Sequence, residues 1–213
     1  MKVLSVDTSS KVATVAVLRD GEIIFEKESE DQKTHSEKIV PLVDSVLKEV
    51  NLTLNDIDEF CVCIGPGSFT GIRIGVSLVK AMAEALNKKV VGVSSLCGLI
   101  NAANTDNVCA IIDALHDNVY CQYKIGNDYS TPDCKNINEL IEELKIKNTE
   151  ITVIGNGVLS HRALLTENIK CKFNEVEISR ASDLGLFSYK NNLKSEEAYK
   201  IVPIYLRKAQ PER

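Results

Sequence analysis

Val3-Leu4-Ser5-Val6-Asp7-Thr8-Ser9-Ser10, with the apolar run 12–18 behind it, decides the fold because the chain carries the arrangement twice. The first pass is an apolar strand, an aspartate, a turn, a second strand, later a helix, and then Ile64-Gly65-Pro66-Gly67. The second pass is the strand 109–112, Asp113, a turn, the strand 119–125, a helix, and Ile154-Gly155-Asn156-Gly157. Asp7 and Gly65 stand 58 residues apart, Asp113 and Gly155 only 42. The order is shared and the second copy is shorter. This predicts a duplicated α/β fold in two lobes, the second reduced, and two copies are too few for a solenoid. The expected division is 1–107 and 108–213, with the tail packing back on the first lobe.

Composition sets the class. The 213 residues are 44% hydrophobic and 26% charged, an ordinary globular balance. The net charge is −5, with 11 basic against 14 acidic residues in 1–100 and 14 against 16 in 101–213. Holding nucleic acid unaided needs clustered Lys and Arg, and neither half supplies them. A partner with a basic surface would have to. The seven cysteines (61, 63, 97, 109, 121, 134, 171) form no CxxC pair and sit mostly in apolar runs such as Phe60-Cys61-Val62-Cys63-Ile64. The apolar start before Asp7 is too short for a signal segment, and the longest uncharged stretch, 90–105, holds Gly, Ser, Asn and Thr. A reduced, cytoplasmic protein away from membranes is expected.

Along the chain, Asp20-Gly21 joins 12–18 to 22–28 as a hairpin, so three antiparallel strands open the fold. Thr34 and Glu37 stand at capping-box spacing at the start of a helix over 34–50, which Pro41 is expected to bend. Further strands fall at 60–64, 90–93 and 151–154, and helices at 69–86, 96–103, 137–144, 160–167 and 181–192. The polar stretch 126–135 reads as a loop, and 201–213 as irregular or extended.

Few residues suggest chemistry. In duplicated kinase and ATPase folds, an Asp followed by small hydroxyl or Gly residues cradles phosphate and orients Mg²⁺. Asp7-Thr8-Ser9 has no Gly where backbone would approach a phosphate, so with Asp113 it reads as a plain turn or a degraded phosphate turn. Gly65-Pro66-Gly67-Ser68 is a strand-to-helix turn that lacks the Lys-Ser/Thr of a P-loop and the register of a nucleophile elbow. His35, His116 and His161 have no second His at helical spacing, which leaves no metal site and no catalytic residue to name. The helix 69–86 is unusual. Its only charges are Arg73, Lys80 and Glu84 on one narrow stripe, and nearly every other position is apolar or small. Such a helix is buried on most sides, either under the other lobe or against a second chain.

Val6-Asp7-Thr8-Ser9, Thr34-His35-Ser36, Gly65-Pro66-Gly67-Ser68-Phe69-Thr70-Gly71-Ile72-Arg73-Ile74-Gly75, Val91-Gly92-Val93-Ser94-Ser95-Leu96, Ile112-Asp113-Ala114 and Pro203-Ile204-Tyr205-Leu206-Arg207 together resemble the TsaB (YeaZ) family over the whole chain. The resemblance implies a duplicated actin-like (ribonuclease H-like) fold. It also implies a non-catalytic part in making threonylcarbamoyladenosine at position 37 of tRNAs reading ANN codons. The implied partners are the catalytic paralogue TsaD, a TsaE-type ATPase, tRNA only through the complex, and a second copy when the chain is alone. No cofactor is implied for the isolated chain, and ATP or ADP only in the complex. The paralogue binds its metal through a His pair whose positions match Ser95 and Leu99 here, and neither can bind a divalent metal. The implied interface lies on the helices 34–50 and 69–86, with His35, Ile39, Val40, Leu42, Val43, Phe69, Ile72, Arg73, Val76, Val79 and Lys80 as candidates. The chain departs from the family at Leu115-His116, where Arg and Met usually follow Ile-Asp-Ala. The rival reading is a stand-alone ATP-dependent small-molecule kinase using Asp7 and Asp113. A metalloprotease is a weaker third, for want of ligands.

Overall fold

The computed structural model describes residues 1–29 and 34–207. They form two units: Met1–Gly98 with Arg180–Ile204, and Leu99–Ser179 with Tyr205–Arg207.

In the first unit, β1 (Lys2–Asp7), β2 (Thr14–Arg19) and β3 (Glu22–Glu28) are consecutive antiparallel strands. Helix α1 (His35–Glu49) leads to β4 (Glu59–Gly65), and α2 (Phe69–Leu86) leads to β5 (Lys89–Ser94). Both later strands run parallel to their neighbours, giving the sheet order β3-β2-β1-β4-β5. Successive side chains on a strand point to opposite faces. Leu4, Val6, Phe60 and Val62 accordingly meet α1 and α2. Cys61 and Cys63 face the other way, toward Leu184 and Phe187 of α6 (Ala181–Lys190). Covered on both faces, β4 reads as a continuous apolar run. At the start of α1, Glu37 accepts the N–H (3.1 Å) and the hydroxyl (2.6 Å) of Thr34, and the helix continues unbroken through Pro41.

The second unit repeats the plan. After α3 (Ser95–Ala103), which spans the boundary between the units, β6 (Asn107–Asp113) pairs antiparallel with β7 (Asn118–Ile125). Two short strands, β8 (Asp128–Tyr129) and β9 (Asp133–Asn136), pair with β7. Helix α4 (Ile137–Lys147) leads to β10 (Ile151–Ile154), parallel to β6, and α5 (Gly157–Asn168) leads to β11 (Cys171–Phe173), parallel to β10. The path β7-β6-β10-β11 matches β2-β1-β4-β5 strand for strand. The likeness reaches single atoms. Asp7 Oδ1 accepts the N–H of Ser9, and Asp113 Oδ1 that of Leu115, each at 2.8 Å. Gly65 and Gly155, at matching strand ends, both hold positive φ, 99° and 106°. The duplication and the smaller second copy are present as expected.

The division differs from a single cut at 107. Residues Arg180–Ile204 complete the first unit, because its sheet has a second apolar face on which α6 packs. The first N–H groups of α6 are met by this sheet: Ala181 donates to Thr14 Oγ1 and Ser182 to Glu26 Oε1, both at 2.8 Å. Gly185 sits where a Cβ would fall 2.5 Å from Leu18 Cδ1. The stretch from Ile201 is divided: Ile201–Ile204 lies in the first unit, with Ile204 N–H donating to Ile64 O at 2.7 Å, and Tyr205–Arg207 lies in the second. The strands β8, β9 and β11 were not expected. At two to four residues each, they are too short for a period to be read.

Candidate functional site

The first turn is shut by the chain itself. Thr8 Oγ1 donates to Gly71 O at 2.8 Å and Ser68 N–H donates to Ser9 O at 2.7 Å, so turn and helix start bond to each other. Asp7, Thr8 and Ser9 are all buried. Glycines in α2 and just before it make this approach possible. A Cβ on Gly71 would lie 2.0 Å from Thr8 O, one on Gly75 2.3 Å from Thr8 Oγ1, and one on Gly67 2.4 Å from Ser9 O. Gly71 and Gly75 lie four apart on one helix face, and that face rests directly on the turn. The candidate phosphate turn and the strand-to-helix turn form one packing joint.

The second turn is built differently. Leu115, His116 and Asp117 hold φ of 65°, 55° and 58°, a left-handed stretch with no glycine, costing roughly 1–2 kcal/mol per residue. Several groups hold it: Asn118 Nδ2 donates to His116 O (2.9 Å), Arg207 Nη1 to Ala114 O (2.6 Å), and Asp113 N–H to Asn156 Oδ1 (2.9 Å). Leu115 is 64% exposed, so an apolar side chain stands at the tip of this turn.

Ser95 is buried and its hydroxyl donates to the Pro66 carbonyl. Leu99 is buried against Gly155. Both positions thus serve the packing of their own units. Among the described residues, no three His, Cys, Asp or Glu side chains converge to hold a metal ion. Burial pushes the thiols of Cys61 and Cys121 up to about 12 and that of Cys97 to about 11, so they stay protonated and unreactive at neutral pH. No helix among the described residues is long and apolar enough to cross a membrane.

The two helices divide the expected interface residues. Ile39, Leu42, Val43, Ile72, Val76 and Val79 are at most 7% exposed and belong to the core under the first sheet, so they are corrected to core positions. The reason is competition: the chain's own sheet takes the apolar stripe first. Val40 is 56% exposed and Phe69 38%, and the exposed Arg73 lays its guanidinium over the Phe69 ring at 3.7 Å. His35 is half-buried. Its Nε2 donates to Ser10 O at 2.8 Å, while Nδ1 is buried without a partner. Lys80 donates to the carbonyls of Tyr199 and Ile201. What remains outward on α2 is Phe69, Thr70, Arg73, Ser77, Ala81, Glu84 and Ala85, with Ile74, Leu78 and Met82 half-buried beside them. Ser77 and Ala81 were missed as surface positions, although the stripe Arg73, Lys80, Glu84 already marks that side as outward.

A family model described as TsaD, tRNA N6-adenosine threonylcarbamoyltransferase, matches residues 23–188. The tRNA threonylcarbamoyladenosine biosynthesis protein TsaB of Bacillus subtilis is 31% identical, covering 100% of this chain and 96% of the relative. The chain belongs to the TsaB (YeaZ) family. A crystal structure from Pseudomonas aeruginosa, described as similar to peptidase YEAZ, is alike at a TM-score of 0.84 and 25% identity over 97% of this chain and 99% of that one. Component A of (R)-2-hydroxyglutaryl-CoA dehydratase from Acidaminococcus fermentans shares the fold alone, at a TM-score of 0.51 and 13% identity over 90% and 98%. The duplicated sheets are thus the actin-like fold of the TsaB family.

Proposed function

We propose that this chain acts in tRNA threonylcarbamoyladenosine synthesis as the non-catalytic partner of a TsaD-type transferase, which it binds through the outward faces of α1 and α2. The observation that carries this is the outward side of α2. Glycines on its inner side draw it against the β1–β2 turn, and its exposed side offers Ser77, Ala81 and Ala85 in a row of small residues flanked by half-buried Ile74, Leu78 and Met82. Small side chains let another helix approach closely, and Phe69 with Arg73 stacked on it adds an aromatic anchor at one end. The packed-shut first turn and the use of Ser95 and Leu99 in packing support a role without chemistry of its own. On this reading nucleotide enters only with the complex, tRNA meets the basic surface of a partner, and a TsaE-type ATPase joins the assembly. Alone, the same face pairs two copies.

The test is binding. Ala81→Glu puts bulk and charge on the exposed face without touching the core, so at a dilution where neither chain pairs with itself the variant should melt as the unaltered chain does. Its affinity for the purified transferase should fall at least about tenfold, as for loss of an interface centre. A depleted strain rescued with Ala81→Glu should show reduced threonylcarbamoyladenosine in bulk tRNA. Unaltered co-purification would sink the assignment.

A further inference from the structure

The segment 196–204 crosses the first unit as a strap fastened at several points. Glu196 and Val90 exchange backbone hydrogen bonds, 2.9 Å each way. Ala198 and Ile201 enter the core beneath α2, and Ile204 N–H donates to Ile64 O at 2.7 Å. Between these anchors the fastener is a side chain. Lys80 Nζ on α2 donates to Ile201 O at 3.0 Å and to Tyr199 O at 3.3 Å, and no carboxylate pairs with it among the described residues. An ammonium holding two carbonyls makes charge-assisted bonds, stronger than neutral ones. Because Ala198 and Ile201 turn inward, the residues after them turn outward: Tyr199 is 66% exposed and Val202 63%.

We infer that Lys80 is a positioning residue for partner binding, fixing the strap as a preformed margin of the α2 face so that Tyr199 and Val202 meet the transferase together with Ser77 and Ala81. This rests on the reading above, which places the transferase on α2. A strap already fastened loses little conformational freedom on association, whereas a loose one must be ordered at the cost of affinity. Lys80 acts through the backbone it holds, and its ammonium is occupied before any partner arrives.

Amide hydrogen exchange and calorimetric titration with purified transferase test this on the full chain. Lys80→Met should reduce protection at the Glu196, Ile201 and Ile204 amides about tenfold, with the β1 and β4 amides unaltered as the measure of global stability. It should weaken transferase binding by a similar factor. Lys80→Arg, which keeps the donors, should restore both. Tyr199→Ala should weaken binding with strap protection intact. Unchanged strap protection in Lys80→Met overturns the positioning role. Lost protection with unaltered affinity, or full affinity in Tyr199→Ala, overturns the strap's part in binding. Full affinity in Ala81→Glu would instead overturn the α1–α2 reading beneath it.

Discussion

At Gly71 the main chain of a helix lies where a side chain would otherwise stand, because Thr8 O would be 2.0 Å from any Cβ placed there. The neighbouring atom is backbone in a turn closed by Asp7, so it has no rotamer by which to retreat. Gly71→Ala would normally favour a helix by about 1 kcal/mol. Here the clash outweighs that gain, and the net effect should be a loss of about 2 kcal/mol or more, read as a lower urea midpoint with an unchanged slope. A variant as stable as the unaltered chain would mean that α2 does not rest on the turn. The same atoms show what the sequence could tell. The turn chemistry of Asp7-Thr8-Ser9 and the break at Gly65-Pro66-Gly67 are legible from residue type. That one fills the other is not, since the contact joins residues more than 60 positions apart.

Among the elements, those with strong periodicity were legible. The strand β3 and the helix α2 have the bounds that the sequence predicts, 22–28 and 69–86. The stretch 126–135 was not, because β8 and β9 are held as strands by pairing with β7 rather than by their own composition. One side chain secures β9 to its following helix: Lys135, largely buried, bridges Asp133 at 3.1 Å and Glu143 at 2.5 Å. The hydrogen bond from Lys135 holds the Asp133 carboxyl below its ordinary range, with the Cys134 N–H adding to it. A depressed carboxylate contributes stability above its unfolded pKa of about 3.9 and loses it as pH falls through the folded value. Lys135→Met should therefore be less stable than the unaltered chain at neutral pH, with the gap narrowing below about pH 4. Urea midpoints measured across that range check the sign, and a gap that widened in acid would refute it. The same distinction governs α1 and α2, whose apolar stripe was readable while its destination was not. Ile72 and Val76 serve the core, and the exposed row behind them has weaker sequence character.

For the whole molecule, the chain leaves its first unit at Gly98 and returns at Arg180. A fragment 1–107, the lobe that sequence alone suggests, would leave Ala16, Leu18, Cys61, Cys63, Val91 and Val93 without α6. It should bind a hydrophobic dye and lack cooperative unfolding, whereas 1–98 joined by a short linker to 180–204 should fold cooperatively. Cooperative melting of 1–107 would contradict the division. The late return of α6 also sets a clock. At roughly 5–20 residues per second, about ten seconds of synthesis separate the completed first sheet from the helix that covers it. During that interval the nascent chain shows the ribosome and its chaperones a half-dressed sheet, so a slowed ribosome between 98 and 180 would endanger folding of residues already made.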